Sequence, residues 1–125
     1  MNKLFLKTAA ILGALSVALG AFGAHSLKRV VTAEKLQLYE TAVRYQFYHV
    51  FALLAVAILY KEFPAKTMLW AGRLFICGIV LFSGSLYALT FAPDNLKWLG
   101  AITPFGGAAF IAGWICLLIV LAKKV

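Results

Sequence analysis

The residues best suited to chemistry lie in one polar segment, which extends from Glu40 to His49. It combines a carboxylate, a guanidinium, an amide and an imidazole, and it continues directly into the apolar run 50–60. That run is too short to cross a bilayer alone, because a spanning helix needs about 20 residues. The polar segment must therefore enter the membrane, where polar and ionisable groups are costly and indicate a functional site by default.

Metal or haem binding is the first chemistry to consider, because two imidazoles, His25 and His49, are expected at similar depths. Neither has a Cys, Asp or Glu neighbour at ligand spacing, and metal-binding imidazoles also need partners that orient them. We therefore expect no metal site and no cofactor. A haem-binding or metal-binding membrane subunit is kept as the less favoured alternative.

Hydrolysis is the second chemistry, with Ser83 or Ser85 as nucleophile and His49 as base. Such a mechanism needs a buried acid to orient the histidine, and Glu40 is the nearby candidate. Glu40 precedes Arg44 by four residues, the favourable order for an intrahelical ion pair. We assign Glu40 and Arg44 as anchors at the membrane interface. No catalytic residue is predicted, and the protein is not expected to be an enzyme.

Composition identifies the class of protein that must position these residues. The 125 residues are 64% hydrophobic and 13% charged, and the mean hydropathy is +0.94. So little polar surface cannot coat a soluble globule, which indicates an integral membrane protein. The formal net charge of +8 does not indicate nucleic-acid binding, because the basic residues stand singly or in pairs at segment ends, where they are expected to contact lipid headgroups.

The hydrophobic pattern predicts an all-α polytopic protein, a four-helix transmembrane bundle that forms one domain over residues 1–125. A short amphipathic surface helix, capped by Thr32, is expected between spans one and two. Thr103-Pro104 and Gly106-Gly107 are expected to break span four near its start. The predicted spans are about 4–24, 42–60, 68–91 and 99–122.

Small residues recur at helical spacing in the first and last spans. Gly13 and Gly20 belong to the stripe in span one, and Gly106 and Gly113 belong to the stripe in span four. Such stripes let helices approach closely in lipid, where packing drives association. We predict that the two stripes pack on each other, although span two or three could serve as partner equally well.

Topology places most polar intramembrane residues on one side of the bilayer. The end of span one, the start of span two, the end of span three and the start of span four must all lie there. Two interpretations remain open: hydrogen bonds that fix the packing of the helices, or a site for the head of an amphiphile such as a lipid or quinone. The candidates for this polar centre are His25, Gln46, His49, Ser83, Tyr87 and Thr103.

Orientation follows from the basic residues near the span ends. Seven lie on the side of the termini and five on the other, so the positive-inside rule favours cytoplasmic termini and an outer polar cluster. The short, loop-poor chain fits a bacterial plasma membrane better than an organelle. Membrane lipids are the expected partners, and a homo-oligomer or a larger membrane complex is compatible with the sequence. An accessory or structural role is favoured.

Four motifs occur along the chain in a fixed order: Gly20-Ala-Phe-Gly-Ala-His25, Tyr45-Gln-Phe-Tyr-His49, Leu81-Phe-Ser-Gly-Ser-Leu-Tyr87 and Gly100-Ala-Ile-Thr-Pro-Phe-Gly-Gly107. Together they resemble the YgdD-like family of small four-span membrane proteins, and the resemblance covers almost the whole chain. It implies a four-helix membrane protein whose function is unknown. It implies no reaction.

Overall fold

The computed structural model describes residues 1–124, which are almost entirely helical and contain no strand. The connections from α1 to α2 and from α4 to α5 contain 3₁₀-helices, at Leu27–Arg29 and Asp94–Ala101. Ile79–Ser83 is π-helical. The predicted all-α class is confirmed. The α-helices are α1 (Lys3–His25), α2 (Ala33–Leu59), α3 (Lys66–Gly78), α4 (Gly84–Phe91) and α5 (Thr103–Lys124).

The described residues contain four helical segments that are long and apolar enough to span a membrane. α3, the π-helical turn and α4 together form one of them. The segments agree with the predicted spans in number and order, and each extends further at one or both ends. That the whole chain folds as one domain stays a prediction. The four segments are Lys3–Arg29, Ala33–Leu59, Lys66–Phe91 and Asp94–Lys123.

The expected surface helix is not a separate element. The side chain of Thr32 caps α2 by accepting a hydrogen bond from the backbone N–H of Lys35, as predicted. From that cap, α2 continues through 27 residues without a break. The physical reason is that this stretch contains neither glycine nor proline, the residues that would end or bend a helix. The amphipathic segment is thus the first part of span two.

Of the two breaks expected near the start of span four, the one at Thr103-Pro104 is found, where the 3₁₀ segment gives way to α5, and the one at Gly106-Gly107 is wrong. α5 begins at Thr103, so Pro104 lies in its first turn, where the missing N–H removes no intrahelical hydrogen bond. Gly106 and Gly107 lie inside a continuous helix. The predicted part of span four before Thr103 is instead the 3₁₀ segment Asp94–Ala101.

α2 lies at the centre of the packing and contacts α1 on one side and α3 and α4 on the other. A Cβ placed on Gly13 or Gly20 of α1 would meet Val50 or Val43 of α2 at 3.6 and 3.5 Å. The antiparallel pairing of α1 and α2 follows from these contacts. The small-residue stripe of span one therefore packs on α2, and the predicted packing against the stripe of span four is wrong.

The stripe of α5 packs instead on α3 and on the π-helical turn. A Cβ on Gly113 would lie 2.7 Å from the ring of Phe75, and one on Gly106 would lie 2.3 Å from the backbone nitrogen of Phe82. Each stripe therefore packs against a helical segment that carries larger side chains, α2 for α1, and α3 with the π-helical turn for α5. The buried core between these helices includes Leu53, Val56, Met68, Phe75, Ile79 and Phe110.

Candidate functional site

Gln46 is the residue through which three helices meet. It is only 3% exposed, because it lies on the inner face of α2. Its amide Nε2 donates to the carbonyl of Leu12 on α1 at 3.2 Å, and its Oε1 accepts from the Tyr87 hydroxyl on α4 at 2.6 Å. Gln46 thereby joins α1, α2 and α4 through neutral hydrogen bonds.

Tyr39 adds a second connection between α2 and α1. Its hydroxyl donates to the carbonyl of Leu19, and its ring packs edge-on against Tyr87 with a centroid distance of 5.4 Å. A Cβ on Gly23 would lie 2.6 Å from the Tyr39 ring, so the glycine provides the space that the ring occupies. This bond was not predicted, because the helical spacing of Leu36, Tyr39 and Val43 indicates only an apolar face.

His49 belongs to a different group of contacts. Its Nδ1 lies 2.7 Å from the carbonyl of Tyr45, and the indole N–H of Trp114 on α5 donates to its Nε2 at 3.1 Å. A carbonyl only accepts and an indole only donates, so these partners assign the neutral tautomer with the proton on Nδ1. The ring also stacks on Phe110 at 3.5 Å between centroids. Both nitrogens are therefore occupied by protein groups.

The depth of His49 in the sequence predicts a hydrogen-bond partner such as Ser83, Tyr87 or a backbone carbonyl of span four, and none of these is its partner in the structure. The structure uses Trp114, whose role was missed. One signal was present in the sequence: Trp114 lies near the middle of α5, whereas tryptophan is enriched at membrane interfaces. An indole N–H at that depth needs an acceptor.

The hydroxyl residues form two further separate contacts. Ser83 is fully buried and donates to the backbone carbonyl of Ala42 on α2 at 2.7 Å. Ser85 and Thr103 share a hydrogen bond of 2.6 Å between α4 and the start of α5. Neither serine contacts His49 by a hydrogen bond within residues 1–124, so the geometry does not form a serine–histidine pair.

His25 is not brought into the polar centre. It is exposed at the last residue of α1. In the antiparallel pairing of α1 with α2, His25 lies level with Leu38 and His49 with Ala14. That places the two histidines about 17 Å apart along the helix axis at 1.5 Å per residue, so the expected similar depth is wrong. The described residues also contain no group of three or more potential metal ligands.

Glu40 and Arg44 lie on another face of α2 and are both exposed. The ion pair predicted between them is not among the contacts of residues 1–124. Both side chains line a groove of about 230 Å³ between α1 and α2. Its other lining residues are small or apolar: Gly20, Gly23, Ala24, Tyr39 and Val43.

Two further depressions lie at the same end of the molecule. One, of about 280 Å³, adjoins the first groove through Glu40 and Arg44 and is also lined by Gln37, Leu38 and Thr41. The other, of about 690 Å³, lies between the start of α2 and the connection from α4 to α5. Lys35 crosses this larger depression and donates from Nζ to the carbonyl of Ala92 at 3.0 Å.

Comparison with known proteins gives relatives that match the chain over most of its length. The membrane protein YwdK of Bacillus subtilis strain 168 is 43% identical over 97% of this chain and 98% of its own. A membrane protein of Staphylococcus haemolyticus strain JCSC1435 is 43% identical over 94% of this chain and 93% of its own. The inner membrane protein YgdD of Escherichia coli strain K12 is 38% identical over 94% and 88%.

No solved structure matches the chain. A family model described as Protein of unknown function (DUF423) matches residues 19–107. This range contains all four motifs on which the resemblance rests, and the relatives are named as membrane proteins. The chain is therefore an integral membrane protein that belongs to the DUF423 family. Its similarity to YgdD confirms the resemblance that the four motifs indicated.

Proposed function

We propose that the protein is a non-enzymatic accessory or structural component of the membrane, and that its polar centre joins the helices. One observation carries this proposal. Among the described residues, every buried side-chain nitrogen and oxygen atom has a hydrogen-bond partner. Polar groups in lipid need such partners, and groups that satisfy one another across helices stabilise packing.

The same contacts argue against a catalytic role for the polar centre. The lone pair of His49 Nε2, which a base or a metal ligand would use, already accepts the Trp114 N–H. The hydroxyl hydrogen of Ser83 is donated to Ala42. A nucleophile needs a base within hydrogen-bond reach, and here each group has a structural partner instead.

A double-mutant cycle tests whether the Gln46–Tyr87 bond is structural. Gln46→Leu and Tyr87→Phe are each expected to destabilise the detergent-solubilised protein, with a coupling of about 0.5–2 kcal/mol between them. Thermal unfolding followed by circular dichroism gives the three differences. Thr41→Val, which changes a hydroxyl on the exposed face of α2, is the control. Additive effects with loss of a co-purified ligand would show that the polar centre is a binding site instead.

Localisation to a bacterial inner membrane, with both termini in the cytoplasm, is part of the same proposal. It is supported by the name of the Escherichia coli relative and by the bias of basic residues. With Cys77 and Cys116 replaced by serine, Lys66→Cys and Lys97→Cys should be labelled from opposite sides of the membrane in intact cells. The impermeant thiol reagent should reach only the Lys97→Cys variant from outside.

Both positions are exposed in the structure, so access of the reagent does not depend on unfolding. Labelling after permeabilisation is the control that both thiols react. External labelling of the Lys66→Cys variant alone would reverse the proposed orientation. Labelling of both variants from outside would place the connections after α2 and after α4 on one side, contrary to the number of spans.

A second candidate function is the binding of a small amphiphile. The sequence predicts that its head lies among the polar-centre residues. In the structure His25 lies apart at the end of α1, and the other five have protein partners: Gln46, His49, Ser83, Tyr87 and Thr103. The observation that favours binding is the groove between α1 and α2, whose lining is small or apolar except for Glu40 and Arg44. Any amphiphile would therefore be held by the two interface anchors.

A further inference from the structure

The groove between α1 and α2 is a concave and largely apolar surface with a volume of about 230 Å³. It is lined by Gly20, Gly23 and Ala24 on α1 and by Tyr39 and Val43 on α2. The two helices pack closely at Gly20, where a Cβ would lie 3.5 Å from Val43, and the groove lies beside this contact, with room for part of an acyl chain. In a membrane, such a concave apolar surface is exposed to lipid.

The lining of the groove carries one acid and one base, between which residues 1–124 show no salt bridge. Glu40 and Arg44 are four residues apart on α2, so their Cα atoms are separated by about 6 Å along the axis. Both also line the adjoining polar depression with Gln37 and Thr41. Apolar and polar concavities thus meet at these two charges, in the order in which a phospholipid joins its chains to its headgroup.

Charge complementarity selects the headgroup. A guanidinium forms strong, often bidentate, hydrogen bonds with a phosphate, and a carboxylate accepts hydrogen bonds from an ammonium group. A purely anionic headgroup would be repelled by Glu40. Resting on the second candidate function, amphiphile binding, we infer that this groove holds a zwitterionic phospholipid with a primary ammonium group, its phosphate on Arg44 and its ammonium on Glu40.

Phosphatidylethanolamine and phosphatidylglycerol with identical acyl chains distinguish the two charges. Each lipid is added to the delipidated full-length protein in detergent, and binding is measured by native mass spectrometry. Arg44→Gln should weaken binding of phosphatidylethanolamine about fivefold, the factor that corresponds to about 1 kcal/mol for one basic side chain near a phosphate surface. Glu40→Gln should weaken binding of phosphatidylethanolamine and strengthen that of phosphatidylglycerol.

The apolar part of the site is tested by filling it. Gly20→Leu should lower binding of both lipids, because its side chain would occupy the groove. Gly13→Leu is the matched control: it lies on the same stripe and also meets a valine of α2, but it does not line the groove. Arg73→Gln is the charge control, because Arg73 is exposed near Trp70 on α3 and away from the groove.

Arg44 and Glu40 are exposed, so their variants should fold even where Gly20→Leu does not. Unchanged lipid preference in Glu40→Gln, or an equal loss of binding in Arg73→Gln, would overturn the site. Binding of a quinone that is insensitive to Arg44→Gln would also overturn it, while leaving amphiphile binding in place. If no added lipid or quinone binds the unsubstituted protein, amphiphile binding itself fails.

Discussion

Gly106→Ala is expected to destabilise the protein by about 1–3 kcal/mol or more, even though alanine is the better helix former. The added Cβ would lie 2.3 Å from the backbone nitrogen of Phe82 and 2.7 Å from its Cα. A flexible side chain could move aside, but this contact is with backbone, so the clash is relieved only if α5 and the π-helical turn move apart. The thermal midpoint in detergent should fall, and the yield of folded protein should fall with it.

The next residue along the chain is the matched control. Gly107 lies in the same turn of α5, but a Cβ there would lie 3.9 Å from the ring of Phe82 and meet nothing closer. Gly107→Ala is therefore expected to be neutral or to stabilise the helix by up to about 1 kcal/mol. Equal effects of the two substitutions would show that α5 does not approach the π-helical turn so closely.

His49→Leu should destabilise the protein by about 1–3 kcal/mol, because it removes the acceptor of the Trp114 N–H and the ring that stacks on Phe110. Arg44→Lys keeps a charge on an exposed side chain and should change stability little. Thermal unfolding in detergent measures both. With Trp70 and Trp98 replaced by phenylalanine, the fluorescence of Trp114 should respond only to His49→Leu. If Arg44→Lys destabilised the protein and His49→Leu did not, the face of α2 that packs against the other helices would be that of Arg44 and not that of His49.

Trp114→Phe separates the hydrogen bond from the stacking. It removes the donor but keeps an aromatic ring between His49 and Phe75, to which the indole packs edge-on at 5.1 Å. In combination with His49→Leu it should add little further destabilisation, because the bond has already been lost. Additive losses would indicate that the two residues act independently.

Much of the fold could be predicted from the sequence because hydrophobic length is a direct consequence of the bilayer. The four long apolar segments and the order of the spans were predicted in this way. The Thr32 cap was predicted from the preference for threonine at helix N-caps. The continuity of α2 was missed because the polar residues at its start were taken to indicate a surface helix that turns before it enters the membrane. A helix bends for a backbone reason, and none is present between Ala33 and Leu59.

The polar centre was harder to predict, because its pairing depends on how each helix is rotated about its axis. Gln46 and His49 were predicted to lie in the polar centre and Arg44 at the interface, and in the structure the first two are buried and Arg44 is exposed. Spacing could not show that Gln46 pairs with Tyr87 while His49 pairs with Trp114. Depth was misjudged for His25, since the register between α1 and α2 is set by individual glycine contacts.

The faces of the third span were easier to predict. α-Helical spacing predicts that Ser83 and Tyr87 share a face and that Ser85 points elsewhere. In the structure Ser83 and Tyr87 both bond to α2, and Ser85 bonds to Thr103 at the start of α5. Spacing within one helix is therefore enough to separate the faces, whereas the partner on each face depends on how the other helices pack.

The π-helical turn has a consequence for how sequences of different length can share this fold. Such a turn closes between residues i and i+5 and so holds one residue more than an α-helical turn. Loss of one residue there would convert it to a regular turn and keep α4 facing α2. Loss of one residue within α3 would instead rotate everything after it by about 100°. A one-residue gap in an alignment of relatives belongs at Ile79–Ser83, where it leaves the packing faces of α3 and α4 unchanged.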